Sequence, residues 1–388
     1  MKKINFEKLN IQFDRNEIAG SLGDLGTFIV FLVGVVTISG MDPSPILVFS
    51  GIFNIFNGFV FGLPMAIQPM KAIGIIAISN KLPSETIIAA GFLMGLIILV
   101  LSMTRVISKI NNYVPNCVVR GIQLGLGLIF LKTGADLIIS TGNLSGYDSY
   151  LTALLAAAIG FILLNNKKIP AALIIFGVGI LLMLPNFKSS ISLDIYSPII
   201  FIPDTGSFLS ASYLMVIPQL PLTILNSLIA TAALVKDYYP KQAERANIDK
   251  IGFNMGLMNL LTMPFGAMPM CHGAGGLAAQ HRFGARTGGS VVFLGIVKLL
   301  LGLFFGGSVL LLSRSFPVSI LGTMIIFGGL ELATHIKGVT AHKELIILMI
   351  VAVTSFAINM ASGFLAGMIL SYCWKFNSHE YIKEENHG

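Results

Sequence analysis

The stretch Gly62–Ile75, GLPMAIQPMKAIGI, decides how this chain is read. Two prolines, a glutamine and a lysine stand inside a sequence otherwise apolar enough for hydrocarbon. Pro64 and Pro69 cannot donate a backbone hydrogen bond, and in a bilayer core every freed backbone group needs another partner. A lysine at that depth costs about 2.5–3.5 kcal/mol even on lenient insertion scales. Retaining Pro64, Pro69 and Lys71 there points to a membrane helix that is interrupted for a use.

The surroundings agree. Of 388 residues, 55% are hydrophobic and only 11% are charged, with a mean hydropathy of +0.84. A soluble domain of this size needs more polar surface. Apolar runs of roughly one bilayer crossing fall at 17–38, 44–62, 66–79, 84–104, 114–137, 149–165 and 169–185. After a polar stretch at 186–210 they resume at 211–235, 248–264, 271–281, 287–312, 316–334, 343–358 and 359–375. The expectation is an all-α polytopic membrane protein of fourteen segments, of which the third and tenth are short, Gly/Pro-interrupted half-helices. The opening MKKINFEKLNIQFDRNE has no apolar core and no small-residue cleavage site, so it reads as a cytoplasmic lead-in rather than a signal peptide. Cys117, Cys271 and Cys373 sit in apolar surroundings and read as small buried hydrophobes, not a disulfide framework.

Basic residues set the orientation. With the N-terminus inside, Lys2, Lys3, Lys8 and Arg15 fall on the cytoplasmic side, as do the clusters at 105–109, 167–168, 236–250 and 282–286. The outer side receives only Lys81, Lys188 and Arg314. Both termini are therefore expected in the cytoplasm. The same loops explain a pI near 9.3, so no nucleic-acid partner is implied. The two halves also echo each other. FGLPMAIQPM from Phe61 parallels FGAMPM from Phe265, and Pro115 parallels Pro317, at offsets of about 202 residues. A repeat of seven crossings is odd, so the second copy (211–376) must enter the membrane upside down relative to the first (1–185). Inverted repeats with broken helices in matching places are a carrier signature and put the site at the bilayer midplane.

The interrupted segments carry the chemistry. A helix that begins in mid-membrane points its first N–H groups at the centre, and Pro69 is tolerated near such a start. In PMCHGAGGLAAQ, Gly273, Gly275 and Gly276 let backbone approach a ligand closely. Two helix N-termini together contribute roughly one positive charge. Lys71 adds to that, as would a protonated His272. Such a centre suits a tetrahedral oxyanion, held by Gln68, Lys71 and the amides of 70–72 and 272–274, which include Met70, Ala72, Gly273 and Ala274. His272 either contacts the ligand or merely satisfies backbone carbonyls. Asp24 could pair with Lys71, bind a coupling cation or carry a proton. Its counterpart in the second half is Asn226, on a polar face with Gln219, Thr223 and Ser227. Glu17 reads as a cytoplasmic surface residue at the start of the first segment. Arg120 and Lys132 read as facing opposite membrane interfaces, and Lys298 and Glu331 are unassigned. No metal site is expected from Cys271–His272, no cofactor motif is present, and HExxH, paired aspartates and GxSxG are missing, which argues against an enzyme.

GSLGDLGTF (20–28), QPMKAI (68–73), PQLPLTILNS (218–227) and FGAMPMCHGAGGLAAQHRFGARTG (265–288) together resemble the molybdate-transporter family allied to the sulfate permeases. The likeness covers nearly the whole chain. It implies the seven-plus-seven fold shared with uracil permeases, with a transport core of segments 1–4 and 8–11 and a gate of 5–7 and 12–14. It also implies molybdate uptake, with the anion between segments 3 and 10, and a homodimer; a secondary carrier in the cell membrane with a proton or sodium ion as coupling partner is the expectation. Gly388 ends the sequence without the cytoplasmic regulatory domain of the wider sulfate permeases, so regulation through one is not expected. Sulfate and tungstate share the substrate's shape and charge. Nucleobase carriers, the resemblance implies, use carboxylates on segments 8 and 10, where 211–235 and 269–281 have none. A channel remains the other reading, disfavoured by the inverted repeat.

Overall fold

The computed structural model describes residues 9–65, 67–107, 115–163, 171–186, 193–333, 339 and 341–385, without the side chains of Asp24, Ala172, Asn186, Arg282, residues 331–332, 360–361 and those from 375 onward. The chain is helical. Helix α1 (Arg15–Ser21) is capped by Asp14, whose Oδ1 accepts from Asn16 N at 2.8 Å and Glu17 N at 2.9 Å. A 3₁₀ turn at Leu22–Asp24 joins it to α2 (Leu25–Ile38), and together they form one span over Arg15–Ile38. Next comes α3 (Pro43–Phe61), which starts with proline and stops at Gly62 in the left-handed region (φ 65°). A two-residue strand β1 (Gln68–Pro69) leads into α4 (Lys71–Asn80), then α5 (Ser84–Met103), α6 (Asn116–Ser140), α7 (Tyr150–Leu163) and α8 (Ala171–Met183).

In the second half α9 runs over Thr205–Tyr238, longer than the expected 211–235 because Asp204 caps it early, its Oδ1 accepting from Ser207 N at 2.7 Å. It widens into π turns at Ser212–Val216 and Thr223–Ala230 around Pro218 and Pro221, whose missing N–H groups break the regular ladder. Then follow α10 (Ile248–Thr262), strand β2 (Met270–Cys271), α11 (Ala274–Arg282), α12 (Gly289–Phe304), α13 (Gly306–Ser315), α14 (Val318–Ala333), α15 (His342–Ala357) and α16 (Met360–Glu385). The segment expected whole at 287–312 is split at Phe305 (φ −131°, ψ 19°). There the extended linker crosses the helix end, Asp194 N donating to Phe304 O and Tyr196 N to Leu303 O, both at 2.9 Å. In that linker burial, then the nearby Asp42 carboxylate, pushes the Tyr196 hydroxyl up to about 12.

Among the described residues five helices are long and apolar enough to cross a membrane, six if Gly306–Ser315 and Val318–Leu330, bent by 90°, form one span. Fourteen full-length crossings are therefore not met by length. Helices such as α7 and α12, at 14 and 16 residues, fall short of the ~20 a full crossing takes. Their outward faces are nonetheless apolar: Ile162 is 80% exposed and Leu154 66%, which suits lipid rather than water.

Packing is tight where small residues meet. α3 lies along α12, and α10 along α5, while α6 packs on α14 and α15. A Cβ on Gly51 would come within 2.7 Å of the Gly295 carbonyl oxygen, and one on Gly295 within 2.7 Å of Gly51 O. Only glycine at both positions allows that approach, a common device between membrane helices.

Candidate functional site

The two short strands pair antiparallel, Gln68 opposite Cys271 and Pro69 opposite Met270, with Met70 N donating to Pro269 O at 2.9 Å. This brings the starts of α4 and α11 together although about two hundred residues separate them. Two buried asparagines hold the strands in place. Asn54 Oδ1 accepts from Ile67 N at 2.8 Å. Asn259 Oδ1 accepts from Met270 N at 2.8 Å, and its Nδ2 donates to Met270 O at 2.7 Å and Met255 O at 2.8 Å. Neither asparagine was singled out in the sequence. The available signal was a polar amide inside an apolar helix, about 205 residues apart in the two halves.

A cavity of about 40 Å³ lies between these helix starts, lined by Gln68, Lys71, Gln123, Gln219, Asn226 and Gly275, among others. That is about three times the space one water needs. Gln68 is buried, and its Oε1 lies 2.6 Å from where a Cβ on Gly273 would stand, so glycine there is a condition of the contact. Gln219 reaches across from α9: its Oε1 accepts from Ala72 N at 2.9 Å and Ile73 N at 3.3 Å, and its Nε2 donates to Thr223 Oγ1 at 2.9 Å. It thus caps α4 from another helix.

Those bonds redistribute the expected donors. Met70 N–H is used by the strand pair and Ala72 N–H by Gln219, so neither points free into the cavity in this state. Lys71 N and the first-turn amides of α11, Ala274 to Gly276, have no acceptor among the described residues. Lys71 and Asn226 both line the cavity, half-buried. His272 is fully buried but turned elsewhere: its Nε2 lies 3.2 Å from Asn254 Oδ1, and its ring meets Phe61 edge to face. Asp24 ends the 3₁₀ turn, and its side chain lies outside the described residues.

Glu17 and Arg120 depart from the expectations, and Lys298, unassigned from the sequence, finds a place. Glu17 is no surface residue; it is 2% exposed, and its carboxylate accepts from Arg286 N (2.8 Å), Thr287 N (2.9 Å) and Ser290 N (3.2 Å). It caps α12, where unpaired N–H groups and the helix dipole both favour an acid. Arg120 is half-buried and its Nη1 donates to Gln123 Oε1 at 3.1 Å, which ties it to a residue that lines the cavity. Gln123 itself went unnoticed in the sequence, since no local pattern distinguishes it. Lys298 is buried in α12 with its ammonium 3.5 Å from the Phe28 ring centroid, a cation–π contact. Lys132, by contrast, is exposed and pairs with Asp136. Both line a wider cavity of about 720 Å³ at the Ile38 end of α2 and the Asn80 end of α4. Along α6 the small cavity touches Gln123 and Leu126, and the wide one begins at Ile129. Next to Ile129, the Phe130 ring meets the Phe31 ring of α2 edge to face at 5.9 Å.

This arrangement is a helical membrane-transporter fold. It is shared with the transmembrane domain of a cyanobacterium bicarbonate transporter, BicA (TM-score 0.68, 15% identity, covering 92% of this chain and 98% of that one). It is shared also with murine solute carrier 26 family member A9, an anion transporter in the inward-facing state (TM-score 0.69, 13% identity, 95% and 69% covered). Residues 16–130 and 211–332 match the family described as molybdate transporter of the MFS superfamily. Molybdate transporters 2 and 1 of Arabidopsis thaliana are each 35% identical, over 92% and 91% of this chain and 86% and 87% of theirs. The chain belongs to this molybdate-transporter family, whose named members are transporters and not enzymes.

Proposed function

We propose that this protein is a secondary carrier that takes molybdate into the cell, binding it in the cavity between the starts of α4 and α11. The observation that carries the reading is the convergence there of Lys71, of neutral donors from Gln68 and Asn226, and of unpaired amides at Ala274 to Gly276. Two helix N-termini of about half a charge each, plus one ammonium, come to roughly +2, which balances a dianion. Neutral amide donors fix its tetrahedral shape without binding too tightly for release. Among the described residues no carboxylate lines the cavity, which disfavours a nucleobase. The names of the plant relatives favour molybdate over sulfate and tungstate.

The reading extends to architecture: fourteen segments as two inverted sevens, with half-helices at α4 and α11. Two pairs of observations support it. The α3–α12 and α10–α5 packings exchange when each segment is advanced by seven, and Asn54 and Asn259 grip corresponding strands. Segments 1–4 and 8–11 then form a core that carries the site, moving elevator-like against the gate of 5–7 and 12–14, to which α6, α14 and α15 belong. Coupling to a proton or sodium ion through Asp24, a homodimeric state, and cytoplasmic termini in the cell membrane complete the proposal and rest on the family resemblance and the basic loops.

Purified protein in liposomes tests it. Molybdate uptake should saturate, show counterflow, and be competed by tungstate and sulfate but not by uracil. Repeating the assay across pH and with or without sodium identifies the coupling ion. Uptake blocked by uracil and indifferent to tungstate would overturn the substrate assignment, and linear, non-saturating flux without counterflow would indicate a channel.

A further inference from the structure

Arg120 stands on α6, three residues before Gln123 and so on the same face of the helix, about one turn away. It is half-buried, and its guanidinium donates to the Gln123 amide oxygen that adjoins the cavity. Among the described residues no carboxylate lies within ion-pair distance of it; the ion pair on α6, Lys132–Asp136, is three turns further along. A half-buried arginine with a neutral amide as its partner has its charge compensated less well than by a carboxylate.

Position gives it a separate task. Lys71 and the amides of α4 and α11 approach the cavity from the strand-paired side, whereas Arg120 approaches from α6, which packs on α14 and α15. The geometry points to Arg120 as the residue that reads the substrate's charge. Its guanidinium leaves Gln123 for the bound oxyanion and favours a doubly over a singly charged tetrahedron. Gln68 and the free amides read shape, and Arg120 reads the second charge. A planar fork that can meet two oxygens suits this role. This inference rests on the oxyanion reading of the cavity.

The test uses perrhenate, a tetrahedral monoanion of nearly molybdate's size. Equilibrium binding of both ions to purified protein is measured for wild type, Arg120→Gln, Arg120→Lys and Gln123→Met. Arg120→Gln should weaken molybdate about tenfold while changing perrhenate much less, so that their ratio narrows. Arg120→Lys should keep most of the preference. Gln123→Met, which removes the amide that holds the guanidinium back, should keep or widen it, and serves even if Arg120→Gln does not fold. A ratio unchanged in Arg120→Gln, or a preference lost in Gln123→Met with Arg120 intact, overturns the inference. Wild-type protein that binds neither ion would overturn the oxyanion reading itself.

Discussion

Replacing Gln219 by leucine removes one acceptor from two buried donors, the amides of Ala72 and Ile73. Both residues are fully buried, so neither amide gains water without a rearrangement. An orphaned buried donor costs roughly 1–3 kcal/mol. The bond to Ile73, at 3.3 Å, is the weaker, and the adjoining cavity of about 40 Å³ can admit a water that recovers part of the loss. The net cost should be about 2 kcal/mol, which for a chain of this length lowers the unfolding midpoint by about 2–3 °C. Since Gln219 holds the start of α4, Gln68 and Lys71 should also lose their alignment, and molybdate affinity should fall roughly tenfold. Thermal unfolding in detergent and equilibrium binding on the same preparation measure the two effects. Gln219→Glu separates them: its carboxylate still accepts both amides, so stability should largely return, while its negative charge beside the cavity should abolish oxyanion binding. If Gln219→Leu melts and binds like wild type, the two amides have another acceptor and the capping argument fails.

Lys71→Gln should weaken molybdate binding by roughly a thousandfold, the loss of one charge about 4 Å away at an effective dielectric near 20, whereas Lys132→Gln, already paired with Asp136, should change it less than about threefold; equal affinities for wild type and Lys71→Gln would leave Lys71 a packing residue. Gly273→Ala places a Cβ 2.6 Å from Gln68 Oε1 and should cost roughly 1–3 kcal/mol of binding, read by titration, with Gln68→Ala in the same background restoring fold stability but not affinity. Asn259→Leu strips both backbone groups of Met270 of their partners and should destabilise by roughly 3 kcal/mol or more, seen as a lower unfolding midpoint; an unchanged midpoint would mean the strand pair stands without it. Asp24→Asn keeps the shape and removes the charge, and should flatten the pH dependence of uptake in liposomes while leaving molybdate binding in place; unchanged uptake and pH profile together would rule out a coupling role.

Much of this protein could be read without coordinates. A composition of 55% hydrophobic residues over 388, gathered in apolar runs near a bilayer's length, reads as a helical membrane fold, because in lipid only helices and closed barrels satisfy the backbone and a barrel strand needs about ten residues. Pro64, Pro69 and the glycines of 273–276 mark the breaks, since these residues act on the backbone at their own position. Motifs at 20–28, 68–73, 218–227 and 265–288 together pointed to the family. What tertiary structure alone decided is where each polar group spends its hydrogen bonds. Gln219 meets Ala72 across 147 residues, Glu17 meets the turn before α12 across about 270, and His272 turns to Asn254 instead of the cavity. Arg120 and Gln123 are neighbours in sequence, but that Gln123 borders the cavity follows only from how α6 lies against α4. Periodicity reports which face of a helix is apolar. It is silent about which distant acceptor satisfies a given amide, because that choice depends on packing between segments the sequence does not order in space.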